Sequence, residues 1–193
     1  MTKIAVGIDY SLTSPCVCIS RDKTFSNSYF YYLNDRKNTQ GVFHNIFAEG
    51  HDEYLIDQQR YENIASWVTG ILSNFDKKEI SILIEDYSFG SKGRVFNLAE
   101  NCGILKYVLY KQGYKFFTVP PTVIKKYATG KGNATKEKMY EAFVRDTQGD
   151  LPFTDLHNII SPTTKLGSPT TDIVDAWYIA RYMIDKSLEE QNA

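Results

Sequence analysis

The chain has 193 residues, of which 42% are hydrophobic and 23% charged, and its net charge is −1. Such a composition suits one globular domain over residues 1–193 with a sizeable core, and sets aside disordered and strongly basic chains. No apolar run reaches the roughly 18 residues of a membrane span, the first residues lack a signal peptide's apolar core, and three cysteines cannot form a disulfide framework. A reducing, cytoplasmic setting is therefore expected, with no membrane partner.

Lys3-Ile4-Ala5-Val6-Gly7-Ile8-Asp9 is apolar on both faces and ends in an acid. It reads as a central strand covered by helices, with Ile4, Val6 and Ile8 on one face and Ala5, Gly7 and Asp9 on the other. A turn cap would account for Asp9 taken alone. Residues 16–20 and 24–33 read as two more strands, hinged at Arg21-Asp22-Lys23, which complete an antiparallel meander. Cys16 and Cys18 share one strand face as small buried hydrophobes, and no zinc spacing is present. Residues 34–59 are polar and read as a long connection, with a short helix around 42–47.

Tyr61, Ile64, Ala65, Val68, Ile71, Leu72 and Phe75 then repeat at three and four, the stripe of an amphipathic helix. Residues 79–85 form a buried-type strand that again ends in acid, Glu85, followed by Asp86 and a loop rich in glycine and serine. A helix follows from Val95 past Leu105 and closes at Gly113, and 114–119 is a fifth strand ended by Pro120-Pro121. Short helices are expected at 122–127 and 135–145, around a glycine-containing turn at 129–134, and 149–168 reads as irregular. The last helix starts near Thr170 or Thr171, either of which can cap it, and runs to about residue 188. This order predicts an α/β fold: a five-stranded mixed sheet, antiparallel meander then parallel strands, with helices on both faces.

Two strands thus end in carboxylates, Asp9 and Glu85, and parallel neighbours would bring both to the carboxyl edge of the sheet. The last helix adds Asp172 and Asp175, three apart and so on one face. Asp172 can also be read as a first-turn acid favoured by the helix dipole, and Asp86 as solvated or as a substitute for Glu85. Four acids in one place repel, and a divalent cation removes the conflict. Oxygen donors without His or Cys favour Mg²⁺, or Mn²⁺ in its place, over zinc. A pair of such ions can activate water and stabilise the leaving oxygen at a phosphodiester.

Between 106 and 138 stand Lys106, Lys111, Lys115, Lys125, Lys126, Lys131, Lys136 and Lys138, against the single acid Glu137. This basic segment on a near-neutral chain points to an anionic partner such as a nucleic-acid backbone. The Gly130–Thr135 turn would let N–H groups approach a phosphate, or is a plain interhelical turn. Tyr87 and Phe89 either stack on an unpaired base or pack at the domain edge.

Gly7-Ile8-Asp9-Tyr10-Ser11, Ile84-Glu85-Asp86, Ile124-Lys125-Lys126, Gly130-Lys131-Gly132-Asn133-Ala134-Thr135-Lys136 and Asp172-Ile173-Val174-Asp175-Ala176 occur in that order. Together they resemble the RuvC family of Holliday junction resolvases, over nearly the whole chain. The resemblance implies an RNase H-like fold and a homodimer that cuts four-way DNA junctions. It implies that Asp9, Glu85, Asp172 and Asp175 bind two Mg²⁺ ions per site. Lys125, Lys126 and Lys136 would lie beside the scissile strand, with Lys136 catalytic and Lys131, Tyr87 and Phe89 as further DNA contacts. Residues 34–59 are longer than in bacterial members, and the Tyr87–Phe89 loop is no close match, departures that a phage or viral relative would fit. A ribonuclease acting on RNA–DNA hybrids and a non-catalytic junction binder are the alternatives. An actin-like kinase would need two such domains.

Overall fold

The computed structural model describes residues 4–86, 95–148, 156–161 and 165–191, the last four of these by their backbone alone. Seven strands are present: β1 (Ile4–Asp9), β2 (Cys16–Ser20), β3 (Tyr29–Leu33), β4 (Gly41–Phe43), β5 (Ile46–Glu49), β6 (Ile80–Glu85) and β7 (Phe116–Val119). The helices are α1 (Asp57–Leu72), α2 (Val95–Lys111), α3 (Pro121–Thr129), α4 (Lys136–Asp146), α5 (Leu156–Ile160) and α6 (Thr170–Gln191).

The strands form one mixed sheet in the order β4-β5-β3-β2-β1-β6-β7. β1, β2 and β3 are the expected antiparallel meander, and β1, β6 and β7 pair in parallel. The five-stranded expectation is corrected to seven, because residues 41–49 form a hairpin and not a helix. His44, at φ 58°, makes its turn. β5 pairs in parallel with β3 and buries Ile46 and Ala48. Residues 24–28, expected to be strand, are instead a loop tied down by the Ser28 hydroxyl, which donates to the Thr24 carbonyl at 2.8 Å. A short helix, α5, stands in the segment read as irregular.

The two sheet faces carry separate cores. Ile4, Val6 and Ile8 of β1 and Ile80, Ile82 and Ile84 of β6 meet Tyr61, Ile64, Val68 and Leu72 of α1 and Leu105 and Leu109 of α2. The opposite face receives α6, α3 and α4 around Phe25, Phe30, Phe143 and Trp177. Phe25 stacks on Phe30 at 4.5 Å, and Phe143 meets Trp177 edge-on at 5.3 Å. Each such fully buried side chain contributes roughly 1.5–3 kcal/mol.

The alternation of β1 and β6 decides where their acids point. Ala5 and Leu83 belong to the α6 side, so Asp9 and Glu85, each an even number of residues further on, face α6 as well. α6 lies directly on β1. A Cβ added at Gly7 would stand 2.3 Å from the Ala176 carbonyl oxygen and 2.5 Å from the Ala180 nitrogen. Only glycine allows this approach, and it sets the first turns of α6 over the end of β1.

Candidate active site

Four carboxylates meet at the carboxyl edge of the sheet. β1 and β6 are in parallel register, Ile8 opposite Ile84, so Asp9 and Glu85 leave adjacent strands together. α6 brings Asp172 and Asp175 from its first two turns. Asp172 is only 8% exposed, and Asp9, Glu85 and Asp175 are half-buried. The expected threonine cap is not what satisfies the start of α6. Its first N–H groups donate to Gly167 and Pro169 carbonyls, which leaves both threonine hydroxyls for other contacts.

The acids act on one another. Burial, then the charges of Glu85, Asp172 and Asp175, push the Asp9 carboxyl well above its ordinary range, against the pull of Lys136. Burial and the charges of Glu85 and Asp172 do the same to Asp175, opposed by Lys136 and Lys125. The Glu85 carboxyl is pushed up to about 7 by burial, with Lys125 pulling down and Asp172 pushing up. Asp172 is raised by burial, although the hydroxyls of Ser14, Ser168 and Thr171 and the charge of Lys136 favour its ionised form. Asp172 Oδ2 is buried without a hydrogen-bond partner. Burial and like charges close by both favour the protonated form of a carboxyl.

Among the described residues, no three His, Cys, Asp or Glu side chains are grouped tightly enough to hold an ion as they stand. The donor set nevertheless fits a hard divalent cation. It offers carboxylate oxygens, one of them buried and unpartnered. The nearby Cys16 thiol, opposite Asp9 in the β1–β2 register, is held protonated by burial and by the acids' charge.

Two lysines reach this cluster. Lys136 opens α4, whose N-cap Thr135 accepts from Lys138 N–H. Its Nζ donates to Thr171 Oγ1 at 3.3 Å, while Arg181 bonds Asp146 at 3.0 Å ten residues further along both helices (136 to 146, 171 to 181). α4 therefore runs alongside α6 in the same direction, which fixes Lys136 beside Asp172. Lys125, on α3, acts on Glu85 and Asp175.

Other expected residues are not brought in. Lys126 and Lys131 are exposed and are not among the charges acting on the acids. Lys106 pairs with Asp86 at 3.2 Å, so the partly exposed Asp86 carboxylate has a cation partner of its own. Gly130, at φ +78°, caps α3, and Gly132 packs where a Cβ would stand 3.1 Å from the Thr122 carbonyl oxygen. The turn's glycines thus have structural reasons of their own. Tyr87 and Phe89 lie outside the described residues. Thr171, Ser14 and Ser168 were not anticipated. The only trace of them is the density of hydroxyls after β1 and before α6.

No sequence-family profile and no curated protein sequence matches the chain. Solved structures do. RuvC of Thermus thermophilus in complex with a Holliday junction substrate superposes with a TM-score of 0.60 at 14% identity, over 97% of this chain and 96% of that one. The Fowlpox virus resolvase, also solved with Holliday junction DNA, gives 0.54 at 16% identity, over 96% and 99%. The yeast mitochondrial Holliday junction resolvase gives 0.53 at 14% identity, over 99% and 83%. The α/β architecture built from β1–β7 and α1–α6 is the RNase H-like fold of the RuvC-like Holliday junction resolvases.

Proposed function

We propose that the chain is a Mg²⁺-dependent endonuclease that resolves four-way DNA junctions by hydrolysing phosphodiesters. The observation that carries this is the meeting of Asp9, Glu85, Asp172 and Asp175 at one sheet edge beside Lys136 and Lys125. That it does so in the fold of junction resolvases chooses among the nucleases that could use such a cluster.

The four carboxylates would hold two Mg²⁺ ions, or Mn²⁺ in their place. When bound, these would supply activated water and stabilisation of the leaving oxygen. The chain's own groups do the rest. Lys136, tethered to Thr171, offsets charge that develops at the scissile phosphate. Lys125 holds the strand on the Glu85 side, and Lys126 and Lys131 meet phosphates further out. The hydroxyls around Asp172 partly offset the burial that raises its carboxyl.

Paired nicks across a two-fold junction call for two sites, and a C₂ homodimer supplies them. α2 offers the surface: Phe96, Tyr107 and Tyr110 are 84%, 60% and 72% exposed along one stripe, while Ile104 and Val108 pack inward. An aromatic stripe of that size on an outer helix is suited to a partner.

The test is side-by-side cleavage of a labelled four-way junction, a linear duplex and an RNA–DNA hybrid in Mg²⁺, with sedimentation of the same sample. Symmetric nicking of the junction by a dimer is expected. Preference for the hybrid would replace this reading with a ribonuclease, and tight junction binding without nicking would replace it with a binding protein.

A further inference from the structure

The segment 34–51, which the sequence leaves as an unassigned connection, belongs to the same sheet edge as the acids. β3 is antiparallel to β2, and β2 to β1, so β3 ends where β1 ends: Asp9 pairs with Cys16, and Cys16 with Tyr32. The chain beyond Leu33 therefore emerges two strands from Asp9, about 10 Å along the edge. Three contacts bind this region to the loops that carry the acids. Leu33 N–H donates to the Pro15 carbonyl at 3.2 Å, His51 Nε2 meets the Thr13 carbonyl at 3.2 Å, and Arg36 Nη1 donates to the Ser168 carbonyl at 3.4 Å.

The turn that bears Arg36 is built to be rigid. Asn34, 5% exposed, accepts the Arg36 N–H at 2.8 Å on its side-chain oxygen and takes the Gln40 side-chain amide at 2.7 Å on its carbonyl. The Thr39 hydroxyl donates to the Arg36 carbonyl at 2.9 Å, and the Tyr32 hydroxyl donates to the Thr39 carbonyl from below. Over this base Arg36 and Lys37 stand exposed. Among the described residues neither is ion-paired. The neighbouring Asp35 carboxylate is turned to the His51 backbone N–H at 3.2 Å. A guanidinium with one N–H spent on Ser168 keeps the rest of its fork for an acceptor.

We infer that Arg36 is a further substrate contact, which grips a backbone phosphate of the cleaved strand on the Asp172 side of the site, opposite Lys125. Resting on the nuclease reading above, the inference gives the 34–51 segment its role: a third wall of the cleft that sets a cation beyond the acids. The strand then lies across the sheet edge with Lys125 at one end, Lys136 at the acids and Arg36 at the other.

The experiment measures affinity for a fluorescent four-way junction against salt, without divalent cation, for wild type, Arg36→Gln, Arg36→Lys and Lys78→Gln. Lys78 is exposed and precedes β6, at the sheet edge away from the acids. Arg36→Gln should bind several-fold more weakly and lower the slope of log affinity against log salt by about 0.9, the loss of one phosphate contact. Arg36→Lys should keep the slope, and Lys78→Gln should match wild type. An Arg36→Gln slope equal to that of wild type overturns the inference alone, and a drop in its melting temperature with that slope unchanged marks the Ser168 contact as structural only. A wild-type protein that neither binds nor cuts the junction overturns the nuclease reading and this inference together.

Discussion

The two faces of the sheet are packed for different ends. On one, α1 and α2 meet β1 and β6 through apolar side chains such as Ile64, Val68, Leu72, Leu105 and Leu109. On the other, α6 lies so close to β1 that Gly7 has no room for a methyl group. The same helix nevertheless brings two acids to meet two more. Burying mutually repelling carboxylates opposes folding. The first face is arranged for stability, and the second gives up stability to bring four acids together, which under the proposed function is the cost of a cation site.

The largest expected effects separate the faces. Asp9→Asn or Asp175→Asn should lower junction cleavage by roughly 10²–10³-fold or more, the scale on which lost electrostatic stabilisation is felt. Each should also raise the melting temperature in EDTA, because a repelling charge is gone. Ile64→Ala should do the reverse. It should cost about 2–5 kcal/mol in urea unfolding while cleavage per folded molecule stays at the wild-type rate. Should Asp175→Asn destabilise the metal-free protein as Ile64→Ala does, the contrast between the faces is wrong.

A smaller effect links them. Gly7→Ala should cost about 1–3 kcal/mol and impair cleavage as well, because α6 must move away from β1 and carry Asp172 and Asp175 with it. Wild-type stability in Gly7→Ala would mean that α6 is not seated as described.

A further effect is on pH dependence. The Glu85 carboxyl rises on folding from 4.5 to about 7, chiefly by burial. A raised value favours the protonated folded form, so the stability it contributes is present below 4.5 and is lost as pH rises through about 7. In EDTA, wild type should lose stability relative to Glu85→Gln across that window. Denaturant titrations in which the difference stays flat would show that Glu85 is solvated.

The sequence carried much of this plan because β1 and β6 are continuous apolar runs that end in acid and α1 repeats at three and four. The two strand-end acids marked one sheet edge, and the structure adds that both face α6. The β4–β5 hairpin escaped because strands of three and four residues, with Val42 exposed, hold too few buried positions to show alternation. Lys106 looked like a free cation because its partner Asp86 is 20 residues away and meets it only in the folded chain. Arg36 was invisible for the same reason, 132 residues from Ser168. For Lys106 and Arg36, what stayed hidden was a contact made by topology and not by local pattern.

The claim on which the rest depends is that four acids from β1, β6 and α6 form one cation site. Calorimetric titration of Mn²⁺ into the metal-free wild-type protein, Asp175→Asn and Ile64→Ala tests it without reference to cleavage. The account predicts saturable binding by wild type and Ile64→Ala, and binding at least about tenfold weaker in Asp175→Asn. Equal Mn²⁺ binding by wild type and Asp175→Asn would contradict it.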